Sequence, residues 1–206
     1  MKQLIGLKPT DPLLRTICEY LSPKELRLKK TQATIDDLLV FVFTKNNKGD
    51  DHDRKKPTII GLSANQVGII KRICIVDLAV RKKEYSDVHV LINPNIIWYS
   101  KQQIHRREGC VNLPNIYGVV LRSKIIDVVF LDRWGNSYRA RMKGWPAVLL
   151  QHEVDHLNGR LFIDRLSDPK KAHSVSDADL QSYKKSWKTW KKFVDVSSLC
   201  KVISQT

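Results

Sequence analysis

Apolar positions change their spacing several times along the 206 residues, and each change predicts an element. Ile35, Leu38, Leu39 and Val42 recur at helical spacing, which predicts a helix over about Thr34 to Phe43. Ser22-Pro23-Lys24-Glu25-Leu26 reads as a capped helix start just before it, after an entry segment from Lys8 to Arg15. Thr44 to Pro57 is polar and charged throughout and predicts a loop. Apolar runs or alternations at Arg72–Asp77, Val88–Ile92, Ile96–Tyr99, Val119–Arg122, Ile125–Leu131 and Ser137–Met142 predict strands. Asn93-Pro94-Asn95 reads as a turn, Arg107 to Pro114 as a turn-rich segment, and Asp132 to Asn136 as a hairpin connection. A second helix is expected over the run Ala147-Val148-Leu149-Leu150, Val154 and Leu157, with Pro146 in its first turn and Gly159 just past its end. A third is expected from Asp177 to Val194. There Tyr183, Trp187, Trp190 and Val194 share one face, and Lys184, Lys185, Lys188, Lys191 and Lys192 lie to the sides and opposite. Strands and helices do not alternate, so the expected fold is α+β, with antiparallel sheets around a central helix and a C-terminal helix.

The length suits one domain, and a 42% hydrophobic with a 28% charged fraction suits a folded globular chain. No stretch is long and apolar enough to cross a bilayer. The first residues carry no signal-peptide pattern, so a cytoplasmic protein without a membrane partner is expected. The four cysteines are scattered and read as reduced thiols, Cys74 as a core group within its strand. A formal charge of +15 fits either contact with polyanions or a solvated basic surface.

The central helix carries His-Glu-x-x-His. Residues four apart share a helix face, so His152 and His156 can hold one metal ion, with Glu153 placed to act on water as a general base. A buried helix with two hydrogen-bonded histidines is the plainer alternative. A third protein ligand is required. Cys110, flanked by Gly109, offers a thiolate, and spacing alone leaves His105 and Asp155 open. The stretch Gly61 to Gly68 has small residues that permit close backbone approach.

Taken together, these segments resemble the peptide deformylase family. Its three motifs occur in order: a Gly-x-Gly-x-Ala-Ala-x-Gln-x-Gly type segment at Gly61 to Gly68 around Gln66, Glu-Gly-Cys at Glu108-Gly109-Cys110, and Gln-His-Glu-x-Asp-His-Leu at Gln151 to Leu157. Leu91-Ile92-Asn93-Pro94 and Leu157 to Phe162 also resemble family sequence, and the likeness covers about Leu7 to Leu166. The chain departs from the pattern at Ile59, at Ser63 in place of alanine, and at Asn112 in place of serine.

The resemblance implies a catalytic domain over residues 1–166 and a basic helical extension over 167–206 packed on it. It implies removal of formyl from the N-terminal formyl-methionine of nascent peptides, releasing formate. Cys110, His152 and His156 would hold one divalent ion, Fe2+ by family habit, with Zn2+, Ni2+ or Co2+ also compatible. Glu153 would be the base, and the Gln66 side chain and Val111 N–H would stabilise the oxyanion. Ile60, Trp145, Val148 and Leu149 would line the methionine pocket, and Gly61 would offer its backbone to the substrate. Glu108 and Asp155 are expected around the ligands, and Gln151 at the helix surface or behind them. The lysine-rich tail suggests transient contact with the ribosome. Two other readings remain open here. One is a metallo-endopeptidase with a downstream ligand such as His173, Asp164 or Asp168. The other is a ribosome- or RNA-binding protein with a structural metal.

Overall fold

The structure is a computed structural model that describes residues 4–44, 57, 59–79 and 86–200. The expected loop from Thr44 to Pro57, with His52, lies almost entirely outside them. Ser22 caps the short helix α1 (Pro23–Leu26) by accepting from the Glu25 amide, and Glu25 returns the bond to Ser22 N–H. Helix α2 (Lys29–Thr44) follows.

Strands β1 (Gly61–Ser63), β2 (Ile73–Asp77), β3 (Val88–Tyr99), β6 (Ile125–Leu131) and β7 (Ser137–Lys143) form one antiparallel sheet, in the order β1-β2-β3-β6-β7. The setting of β2 explains its unbroken apolar sequence. Cys74 and Val76 face the central helix, while Ile73 and Ile75 face Ile35, Leu38 and Val42 of α2, so both faces are buried. A second sheet contains β4 (Gln103–Cys110), β5 (Leu113–Ser123), β8 (Ala172–Ser174) and β9 (Phe193–Val194), in that order. It covers a cluster of Leu14, Leu113, Val120, Leu161, Phe162 and Ile163.

Helix α3 (Trp145–Leu157) lies against both sheets, and every residue from Ala147 to Leu157 is buried. Gly144 precedes it at φ +65°, Pro146 occupies its first turn, and Gly159 at φ +67° turns the chain away after Asn158. A helix buried on all sides must satisfy its polar groups internally. Gln151 therefore is not a surface group: its amide donates to Ser123 O at 2.9 Å and accepts from Ser123 N at 3.1 Å. Asn65 Nδ2 donates to the His156 carbonyl at 2.7 Å.

Three expected elements differ. Asn93-Pro94-Asn95 is not a turn between strands but an irregularity inside β3, with Asn93 at φ +52° and its side chain bonded to both backbone groups of Leu21. The expected turn-rich segment at 107–114 is a tight hairpin, with only Val111 and Asn112 between β4 and β5. The tail is not one helix from Asp177 to Val194. Only α4 (Leu180–Ser186) is α-helical; a 3-10 turn at Trp187–Thr189 follows, and β9 then pairs with β8. The aromatic positions reach the second sheet from two different backbone conformations, so packing overrides their helical spacing. Arg15 ties the entry segment to the tail: one guanidinium nitrogen bonds Asp164 and the other donates to Leu199 O.

Candidate metal centre and substrate cleft

One turn of α3 separates His152 and His156, which brings their Nε2 atoms to 3.2 Å. The hairpin end of β4 brings Cys110 Sγ to 3.4 Å from His156 Nε2. Cys110, His152 and His156 are the only group of three or more metal-type donors found among the described residues, with ligand atoms within 4.8 Å of one another. Ligand bonds of about 2.05 Å to nitrogen and about 2.3 Å to sulfur in a tetrahedral site imply donor separations of roughly 3.3 to 3.6 Å. The two separations at His156 match those values, and Cys110 and His152, within 4.8 Å of each other, complete a set that can close on one ion. A mixed nitrogen and sulfur donor set favours a transition metal over magnesium or calcium.

The surrounding charges favour a cation at this point. His152 Nδ1 lies 2.9 Å from Glu108 Oε2. Burial opposes charge on His152, yet its hydrogen bonds with Cys110 and Glu108 draw its pKa well above the usual value. Burial pushes the Glu108 carboxyl up, but the Arg122 and His152 hydrogen bonds overcome that and hold it at about 2. Arg122 grips Glu108 through two bonds of 2.7 and 2.8 Å and also bonds Asp155, which Arg165 reaches from the other side. Glu108 and Asp155 are thus fully engaged in orienting the centre. His156 is driven well below the usual histidine value, first by burial and then by its charged neighbour His152, and its Nδ1 has no hydrogen-bond partner. It stays neutral with its lone pair free for a metal, whereas at His152 a bound ion would take the place of the proton.

Glu153 is 1% exposed, and burial raises its pKa to about 7 despite the His152 charge. Ser63 Oγ lies 2.8 Å from Glu153 Oε2. Gly61 faces the same carboxylate closely: a Cβ there would overlap Glu153 Oε1 and Leu149 Cδ1. Gln66 is held on both sides. Its Oε1 accepts from Ser63 N at 2.7 Å, and its Nε2 donates to Asn112 Oδ1 at 2.9 Å and lies 3.2 Å from Cys110 Sγ. Asn112 is fixed in turn by donating to Leu7 O and Gln66 O. Ser63 and Asn112, which in the sequence are only departures from the pattern, therefore position the Glu153 carboxylate and the Gln66 amide. Their signal is their place inside the two motifs.

A cleft of about 500 Å³ opens beside these donors. Ile60, Gly61, Trp145, Val148 and Leu149 line it together with Gln66, Cys110, Val111, His152 and Glu153, so all the expected site residues except His156, which lies behind them, border it. The sequence does not single out Ile59, Arg107, Tyr117, Leu180 or Lys184 as lining, yet they border it too. Leu180 and Lys184 come from the tail, far along the chain from the motifs. The other residues weighed as ligands are engaged elsewhere. His105 is exposed on β4, His173 pairs with Tyr183, Asp164 with Arg15, and Asp168 accepts from Lys170 N.

The chain matches the sequence model of the Polypeptide deformylase family over residues 7–172. A Peptide deformylase-like protein of Rickettsia conorii is 43% identical over 112 residues, which is 54% of this chain and 60% of that one. Peptide deformylase 2 of Xanthomonas axonopodis pv. citri is 34% identical over 161 residues, 78% of this chain and 85% of its own length. The match thus spans about three fifths of the first of these relatives and most of the second. The actinonin-bound crystal structure of class I type b peptide deformylase from Acinetobacter baumannii superposes with a TM-score of 0.66 at 30% identity, covering 80% of this chain and 98% of that one. Among the described residues, no helix is long and apolar enough to cross a membrane.

Proposed function

The chain belongs to the polypeptide deformylase family, and from that premise we propose that it hydrolyses the formyl amide of N-terminal formyl-methionine on newly made polypeptides, releasing formate. The observation that carries this reading is the convergence of Cys110, His152 and His156 beside a buried carboxylate, Glu153, at the wall of an apolar cleft.

Cys110, His152 and His156 would hold one divalent ion, with Fe2+ as our choice and Zn2+, Ni2+ or Co2+ as substitutes the same donors accept. When bound, the ion supplies Lewis acidity toward the formyl oxygen and acidifies the attacking water. Glu153 removes the water proton and returns it to the leaving amine, a task its buried carboxylate, held by Ser63 beside the donors, is placed to perform. The Gln66 Nε2 and the Val111 N–H donate to the oxyanion, each worth about 3 kcal/mol of barrier. Ile60, Trp145, Val148 and Leu149 accept the methionine side chain, whose burial contributes roughly 1.5–3 kcal/mol. The backbone at Gly61 lies alongside the substrate, with the absent Cβ leaving the Glu153 carboxylate in place.

We read residues 1–166 as the catalytic body and 167–206 as an extension, whose strands β8 and β9 pack on it. Nascent formylated chains place the enzyme in the cytoplasm, and the exposed lysines Lys185, Lys188 and Lys191 support transient, salt-sensitive contact with ribosomal phosphate. Lys184, which borders the cleft, is set apart from that docking role. The test is formate release from formyl-Met-Ala-Ser by anaerobically purified, iron-loaded protein. No formate with iron, nickel or zinc in the site rejects the function.

A further inference from the structure

Alternation along β4 sends Glu108 inward to His152 and leaves Arg107 and Gly109 on the opposite face. On β5, Tyr117 stands opposite Gly109, and its ring lies against the glycine so closely that a Cβ there would overlap it. Tyr183 of α4 packs on Tyr117 with ring centroids 5.1 Å apart, and the Arg107 guanidinium lies 5.4 Å over the Tyr183 ring. Tyr183 is itself fixed by His173, whose Nδ1 lies 2.8 Å from its hydroxyl. This anchor sets the position of α4 relative to the metal ligand Cys110. Leu180 and Lys184, four residues apart and so on one helix face, then line the cleft together with Arg107, as its tail-side edge.

The charges on that edge are one-sided. Of the two acids bordering the cleft, Glu108 is occupied by Arg122 and Glu153 faces Ser63. Arg107 and Lys184 make no ion pair among the described residues, and Arg107 Nη1 is shielded from solvent without a hydrogen-bond partner. With the reacting amide and the methionine side chain assigned to the other lining residues, Arg107 and Lys184 are left to meet the chain after methionine.

We propose that Arg107 and Lys184 read negative charge on the residues after formyl-methionine, so that substrates with Asp or Glu at the second or third position are preferred. This rests on the deformylase reading above. Two partly exposed charge pairs, each worth a few-fold, give a preference of about tenfold in kcat/KM, expressed in KM and reduced by salt.

The experiment uses the full-length, metal-loaded protein with formyl-Met-Ala-X-amide and formyl-Met-X-Ala-amide, where X is Asp, Asn or Lys; the amide removes the terminal carboxylate. The expected order in one or both series is Asp above Asn above Lys, compressed at 0.5 M salt (roughly a 4 Å screening length). Lys184→Glu, at an exposed position, should reverse Asp and Lys with an unchanged melting temperature. Arg107→Gln should weaken the ranking in the same direction as Lys184→Gln. Calorimetry of the product Met-Ala-Asp-amide should show weaker binding to Lys184→Glu than to the parent. Equal rates for Asp and Asn in both series, or a parental ranking retained in Lys184→Glu, overturns the proposal while leaving deformylation standing. A failure to deformylate any of the peptides, Asn included, removes the enzymatic reading and this one with it.

Discussion

Two sets of residues line the cleft: one is carried by β1, α3 and the turn between β4 and β5, and the other is Tyr117 with the tail residues Leu180 and Lys184. The first side is held by short hydrogen bonds among buried polar groups, such as Glu108 with Arg122 and Gln66 with Asn112. The second is held by rings: Tyr117, Tyr183, His173, Trp190 and Phe193 contact one another at centroid distances of 5.1 to 5.6 Å. Polar networks tolerate almost no substitution because each lost partner strands a buried donor or charge. Aromatic packing is graded, and loses stability in proportion to what is removed. The two sides should therefore fail differently: the first by losing chemistry in a folded protein, the second by losing order around intact chemistry.

The largest expected effects lie on the polar side. Cys110→Ala should lose the ion and with it activity, read by metal analysis of the purified protein. Glu153→Gln should keep the ion yet lower kcat by about 10²–10⁴-fold; near-parental turnover in a metal-loaded variant would remove Glu153 from its role. Next is Gly61→Ala. Its Cβ would displace Glu153 and Leu149, so kcat/KM should fall about a hundredfold at unchanged metal content. Full activity in the Gly61→Ala protein would show that the carboxylate has room to move.

On the ring side, Tyr183→Ala should destabilise by about 3–5 kcal/mol locally and release residues 172–200 to proteolysis and hydrogen exchange, while a short neutral formyl-Met peptide is still cleaved. Loss of metal in that variant would mean that the two sides are one cooperative unit. The smallest effect concerns His173. Burial lowers its pKa, so the folded tail binds the proton less readily than the unfolded chain. Its stabilisation is complete above the ordinary histidine value of about 6.5 and is lost as pH falls through the lower folded value. Tail protection should thus weaken on acidification, and His173→Gln should flatten that dependence. Equal pH profiles for the two proteins would assign the change to other groups.

The same division explains what is legible in the sequence. The histidine pair, Glu153, Pro146 and Gly159 announce α3, because ligand geometry and helix ends demand particular residues at particular spacings. The hairpin Asp132–Asn136 is equally plain, with Asp132 Oδ1 accepting from Trp134 N and Asn136 N. Asn93 misleads because its bonding partner, Leu21, lies 72 positions away, and no local rule distinguishes such a bulge from a turn. The tail misleads for a related reason. Tyr183, Trp187 and Trp190 are spaced as a helix face, but β8 offers backbone partners to Phe193 and Val194 that a sequence window does not contain. Gln151 likewise finds Ser123 on a distant strand.

Arg15 bonds Asp164 across 149 positions and Leu199 across 184. Contacts of such separation close late in folding, because the intervening chain must first be brought together. During synthesis, residues emerge from the N-terminus onward, so Arg15 waits through 184 further positions before its second partner exists. The ligands and the base can gather once α3 has emerged, but the clasp that holds the last turn against the entry segment forms only after Leu199 has been made. An enzyme proposed to act on polypeptides at birth thus closes this clasp well after its own ligands and base have been made.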